Sequence, residues 1–143
     1  MSSPVFIIDT NVLVAGLITG NPHSPVIQIV DRMLNGQIIY TLSPAVLNEY
    51  RRVLLRPKLT RLHKLGTEAI EDLLEELTCN AIWREPTATA QAPDPGDNHL
   101  WALLAAYPGS TLITGDKLLI EQPPSASSVI SPGSYISGFV TQS

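Results

Sequence analysis

The sequence predicts an α/β fold, with a mostly parallel central sheet flanked by helices. Three observations carry that expectation. The apolar runs Val5-Phe6-Ile7-Ile8 and Leu112-Ile113 lack polar alternation, as strands buried on both faces of a parallel sheet do. Longer segments with helical spacing separate such runs. Pro and Gly punctuate the chain between them, as loops joining short elements would. The chain has 143 residues, near the usual size of one compact domain, so residues 1–143 are expected to form a single domain.

Each element has its own signal. The first strand is expected over residues 4–8 and ends at Asp9-Thr10-Asn11. A short helix then carries Val12, Leu13 and Leu17 and breaks near Gly20-Asn21-Pro22. The next helix starts at Ser24 or Pro25, places Val26, Ile29, Val30, Met33 and Leu34 on one face, and stops at Gly36. That apolar face is a candidate surface for a homodimer. Residues 38–42 read as the second strand. Ser43-Pro44 supplies an N-cap with Pro at the first helical position, and that helix is expected to end before Pro57. A further helix runs from Thr67, taken as its cap, to about Cys79, with Leu73, Leu74 and Leu77 inward and the acids outward. Residues 81–83 form a short strand and residues 86–96 a Pro-, Thr- and Ala-rich loop. Asp97 opens an apolar helix through Leu100, Trp101, Leu103, Leu104 and Tyr107. Strands follow at residues 111–114 and 128–130, and Pro132 begins a final helical turn.

Composition narrows the class of protein. Cys79 is the single cysteine, so no disulfide framework exists within the chain and a reducing cytoplasm is expected. The first residues lack the basic stretch of a secretory signal, and no apolar run approaches the ~18–20 residues that span a bilayer, so no membrane association is expected. The net charge of −4 is unevenly placed. Six of the nine Lys and Arg residues are Arg51, Arg52, Arg56, Lys58, Arg61 and Lys64. Five of the thirteen acids are Glu68, Glu71, Asp72, Glu75 and Glu76. A basic patch beside an acidic pocket suits a phosphodiester substrate. The plainer reading is two solvated helix faces of opposite sign.

Four acids fall near strand ends, where open α/β sheets bind ligands. Asp9 directly follows the first strand. Asp116 closely follows the strand at 111–114, and Asp97 opens the helix before it. Glu49 lies on the helix after the second strand. There Val46, Leu47, Tyr50, Val53 and Leu54 form an apolar stripe about 120° wide, and Glu49 falls about 40° beyond its edge. Such a carboxylate sits half in and half out and could turn toward the others. Converging carboxylates raise one another's pKa unless a cation offsets them, and hard ions such as Mg²⁺ and Mn²⁺ take oxygen ligands. One or two such ions could activate a water for in-line attack on phosphorus. Each acid also has a plainer role: Asp9 and Asp97 as helix caps, Asp116 as a turn or cap residue, Asp94 as a turn former in Asp94-Pro95-Gly96, and Glu49 as the surface partner of Arg52. Ser43 is an N-cap, and His99 reads as structural or solvent-facing. Charge clustering next to Glu49 places Arg52, Arg56 and Lys58 along the substrate path.

These segments, in this order, resemble the PIN-domain family. Asp9-Thr10-Asn11-Val12 after an apolar strand resembles its opening, Ser43-Pro44-Ala45-Val46-Leu47-Asn48-Glu49-Tyr50 its second acidic segment, Asp94-Pro95-Gly96-Asp97 its third and Thr114-Gly115-Asp116-Lys117 its fourth. Ser131-Pro132-Gly133 before the last helix fits as well. The closest likeness is to VapC-like toxins of toxin–antitoxin pairs. The resemblance implies a three-layer fold and a Mg²⁺- or Mn²⁺-dependent endoribonuclease acting on RNA. Asp9, Glu49, Asp97 and Asp116 take the catalytic and metal positions, Asp94 is an additional candidate ligand, and Asn11 and Thr114 are supporting polar residues. It further implies a small antitoxin partner and a homodimer. Gly96 stands where a further acid is common, which leaves one or two metal ions open. A catalytically silent RNA- or protein-binding module is the other function class. A haloacid-type phosphatase would need an Asp where Asn11 stands, and the paired acids of a receiver domain are not visible.

Overall fold

In the computed structural model, which describes residues 3–86, 92, 94–123 and 127–140, the strands are β1 (Phe6–Ile8), β2 (Thr41–Leu42), β3 (Ile82–Trp83), β4 (Thr111–Ile113) and β5 (Ser128–Ile130). Every strand pairing is parallel: β1 with β4, β4 with β5, and β2 with β3. A parallel bridge between Phe6 and Tyr40 joins the β2–β3 pair to β1. The order across the sheet is therefore β3-β2-β1-β4-β5. The chain moves outward from β1 to β2 and β3, then returns to the other side for β4 and β5. The reversal lies between β1 and β4, and the ligand crevice of an open parallel sheet forms beyond the carboxyl ends at that point. Ile8 stands opposite Ile113, so the next residues, Asp9 and Thr114, emerge side by side.

The helices are α1 (Thr10–Ile18), α2 (Pro25–Leu34), α3 (Pro44–Leu54), α4 (Pro57–His63), α5 (Thr67–Asn80), α6 (Asn98–Ala106), α7 (Lys117–Glu121) and α8 (Pro132–Tyr135). The expected apolar faces form the core. Ile29, Val30 and Met33 of α2, Val46, Tyr50 and Leu54 of α3, and Ile70, Leu74 and Leu77 of α5 are all buried with Ile7, Ile8, Leu112 and Ile113. Of the expected α2 face, Ile29, Val30 and Met33 are buried and Val26 and Leu34 are half-buried against the core. Two tyrosine hydroxyls tie helices to the sheet. Tyr50 donates to the Ile8 carbonyl at 2.5 Å, and Tyr40 donates to the Leu77 carbonyl at 2.5 Å. Leaving such a buried carbonyl without its partner costs roughly 1–3 kcal/mol.

Several boundaries differ from expectation for local reasons. Pro57, expected only as a stop, is also the first residue of α4, where its missing N–H costs nothing and its fixed φ suits a helix. His63 secures that turn: its Nε2–H donates to the Leu54 carbonyl at 2.9 Å and its Nδ1 accepts from the Leu65 N–H at 3.0 Å. The helix cap expected at Thr67 is Gly66, and Thr67 is already helical. The five residues of α7 are too few for periodicity to reveal. The second strand keeps only Thr41–Leu42, with Tyr40 reduced to the bridge. The last helical turn continues as a wider turn over Ile136–Val140. Of the expected loop at 86–96, residues 87–91 and 93 lie outside the described residues.

Gly16 sets the spacing between α1 and α2. A Cβ there would lie 2.6 Å from Val30 Cγ2 and 2.8 Å from the Val26 carbonyl oxygen, and the latter is backbone that cannot turn aside. Alanine would gain roughly 1 kcal/mol of helix propensity but force the helices apart, at about 1–3 kcal/mol. Gly16→Ala is therefore expected to lose about 1 kcal/mol net in urea unfolding; equal or higher stability would refute the close contact.

Candidate active site

Asp9 is the buried centre of the site, with 8% of its surface exposed. It precedes α1 but its side chain makes no cap hydrogen bond. Its Oδ2 instead accepts from the Thr114 hydroxyl at 2.7 Å and from the Asn11 Nδ2 at 3.3 Å. The Thr114 oxygen in turn accepts from Asn11 Nδ2 at 3.3 Å and from the Asp116 N–H at 3.0 Å. The Gly115 N–H donates to Asn11 Oδ1 at 3.0 Å. The segments after β1 and β4 thereby form one network. Burial pushes the Asp9 carboxyl above its ordinary 3.8; the Thr114 hydroxyl, the Thr10 backbone and His99 pull it down, and Asp116 pushes it up.

Asp97 lies at the start of α6 without capping it, whereas Asp94 makes the expected turn, accepting from the Gly96 N–H at 2.9 Å. Asp97 is also pushed up, first by burial, then by Asp9, Asp94 and Asp116, while His99 opposes the rise. Asp9, Asp97 and Asp116 thus stand within electrostatic reach of one another. Asp116 has a second task, because its Oδ1 caps α7 by accepting from the Leu118 N–H at 2.9 Å. A cavity of about 320 Å³ opens beside this edge, with Asn11, Gly115 and Asp116 against Val12, Ala15, Val26 and Pro132.

Glu49 is held elsewhere. Both of its oxygens engage Arg52, at 2.7 and 2.8 Å to Nη2 and 3.2 Å to Nε. The plainer of its two sequence roles is the one the side chain adopts. Ser43 caps α3 by accepting from the Val46 N–H at 3.2 Å. Arg56 and Lys58 are exposed and make no ion pair among the described residues. Arg51 instead reaches Glu71 of α5 at 2.8 Å, which joins the basic and acidic helices. His99, taken from the sequence as structural or solvent-facing, has a buried Nε2 without a hydrogen-bond partner and lies in the field of Asp9 and Asp97. Its position two residues after Asp97 was the available signal.

The sequence profile of the PIN domain matches residues 5–118. The chain belongs to the PIN domain family. No curated protein matches it. PIN domains are typically nucleases, and PIN nucleases generally use divalent metal ions. Among the described residues, no three His, Cys, Asp or Glu side chains form a group ready to hold a metal ion. The donor chemistry nevertheless fits a hard cation. Asp9, Asp97 and Asp116 offer only oxygen donors, burial first and neighbouring acids second push Asp9 and Asp97 upward, and Thr10 Oγ1 and His99 Nε2 are buried without hydrogen-bond partners. No helix among the described residues is long and apolar enough to cross a membrane.

The raised Asp9 has a consequence for stability. The folded chain holds this proton more tightly than the unfolded chain, so the group's stabilising effect is complete below pH 3.8 and is lost as pH rises through the elevated folded value. Asp9→Asn, which keeps an acceptor for Thr114, is expected to be more stable than the native protein at about pH 7, with the advantage fading toward pH 4. Urea unfolding in EDTA at both pH values checks this; no advantage at pH 7 would contradict it.

Proposed function

We propose that this PIN domain is a Mg²⁺- or Mn²⁺-dependent endoribonuclease that hydrolyses RNA phosphodiester bonds. The observation that carries the reading is Asp9, a buried carboxylate at the switch point of the sheet, fixed by Thr114 and Asn11 with Asp97 and Asp116 in its field. Asp9, Asp97 and Asp116, joined by Glu49, would hold the cation, with Asp94 as an outer candidate. A cation bound there supplies an activated water and offsets charge developing on the phosphate. The protein's own part is positional. Thr114 and Asn11 take one oxygen of Asp9, and a carboxylate retains further lone pairs for a ligand. Asp116 can serve likewise while capping α7. The adjacent cavity, with Asp116 on its wall, would give the substrate room. The likeness to VapC-like toxins supports a role as the toxin of a toxin–antitoxin pair in the cytoplasm, with a small antitoxin filling the cleft and a second copy completing a homodimer.

A silent RNA-binding module is the second reading, and the Glu49–Arg52 pair is the observation that favours it. Cleavage of a mixed single-stranded RNA separates the two. The native protein with Mg²⁺ or Mn²⁺ is expected to cut, EDTA to stop it, and Asp9→Asn to lower the rate by about 100-fold or more, the several kcal/mol that a misplaced cation is worth. RNA binding without cutting by the native protein would favour the silent module.

Arg52, Arg56 and Lys58 are the proposed contacts to the RNA backbone. Each phosphate contact removed lowers the salt dependence of binding by a slope of about 0.7 for a single strand. Replacing all three by Ala is expected to weaken binding and flatten log Kd against log salt accordingly; an unchanged slope would place the RNA on another face.

A further inference from the structure

The acid missing from the cluster and the cation nearest to it are missing for the same reason. Glu49 and Arg52 lie three residues apart on α3, and Arg52 takes both oxygens of Glu49. The backbone beneath them is fixed close to the site. Tyr50, the residue after Glu49, is fully buried and donates to Ile8, the residue before Asp9. A fixed helix with a diverted side chain leaves rotation of Glu49 as the step that would bring it to the cluster.

We infer that Arg52 is a positioning residue that competes with the divalent cation for Glu49. This rests on the metal-dependent reading above. The pair holds Glu49 away from Asp9, and cation binding breaks it. Arg52 is 59% exposed and Glu49 24%, so the pair is a weak, solvent-screened latch that a doubly charged ion can open. The opened guanidinium is then free for a phosphate of the substrate. By linkage, whatever draws Arg52 away favours the cation to the same extent that the cation favours Arg52's release.

Mn²⁺ alone is the probe, titrated into the folded protein and followed through the free-ion EPR signal. Arg52→Met is expected to bind Mn²⁺ about two- to fivefold tighter than the native protein, the range set by an exposed ion pair. Arg52→Lys, which keeps the charge but loses the two-pronged geometry, should fall between them. Arg56→Met removes the same charge from the same region and controls for general electrostatics. In a Glu49→Gln background the gain from Arg52→Met should vanish. Equal affinities for Arg52→Met and Arg56→Met, or a gain that survives without Glu49, would overturn the proposal. Mn²⁺ binding that needs Asp9 but ignores Arg52 would overturn it while leaving the metal-dependent reading intact. A native protein that binds no Mn²⁺ would overturn both.

Discussion

Asp9 leaves a strand whose three residues are almost wholly buried, and its carboxylate emerges where water is scarce. Desolvation outweighs the hydrogen bonds that favour its charged form, since the net direction of its pKa is upward. The surrounding residues are arranged around that imbalance. Thr114 has one hydroxyl hydrogen, and it goes to Asp9; its lone pairs take Asn11 and the Asp116 N–H. Asn11 uses its amide oxygen on Gly115. Turning Asp9 elsewhere would therefore loosen the start of α1 and the loop after β4 together. Tyr50 and Gly16 act one layer out: the first pins α3 to the end of β1, and the second lets α2 approach α1 closely. A fold that accepts this cost holds unfavourable charge for a purpose other than its own stability.

The parallel sheet was legible because burial on both faces leaves runs such as Phe6-Ile7-Ile8 and Leu112-Ile113 without alternation. The order of its strands was not, because the single bridge from Phe6 to Tyr40 is a long-range pairing that no local pattern encodes. Helices of nine or more residues were visible through their faces, whereas α4 and α7, with seven and five residues, offered too few positions for a period. Pro57 illustrates the ambiguity most clearly. Helix α3 already ends at Leu54 and Pro57 begins α4, whereas sequence rules allow a proline there either to end one helix or to begin the next.

The site divides along the same line. Caps depend on near neighbours, so Ser43 and the Asp94 turn were readable. The Thr114–Asp9 hydrogen bond spans more than a hundred residues, and only the likeness of the segments to a known family brought its two ends together. For Glu49, helical periodicity gave the correct half-buried position, but periodicity locates a Cβ, not a carboxylate. Two rotatable bonds beyond it decide where the carboxylate goes, and it goes to Arg52. For His99 the sequence offers only its position two residues after Asp97, which does not distinguish an imidazole at a helix surface from one whose Nε2 is buried without a partner.

The charge pattern also means something different in three dimensions. Six of the nine Lys and Arg residues lie within residues 51–64 and five of the thirteen acids within residues 68–76, which reads as a basic patch beside an acidic pocket or as two solvated faces of opposite sign. The fold instead consumes the first two cations of that segment locally, Arg51 on Glu71 and Arg52 on Glu49, so that the segment is partly neutralised by its neighbours. The remaining cations of α4 and its approach, Arg56 and Lys58 among them, stay exposed. A phosphodiester drawn to this edge would therefore meet permanent positive charge first and the Arg52 guanidinium only in competition with Glu49. Because an exposed pair is worth little in water, a multivalent partner would settle that competition under the proposed reading, and the same side chain would serve the resting acid and the bound phosphate in turn.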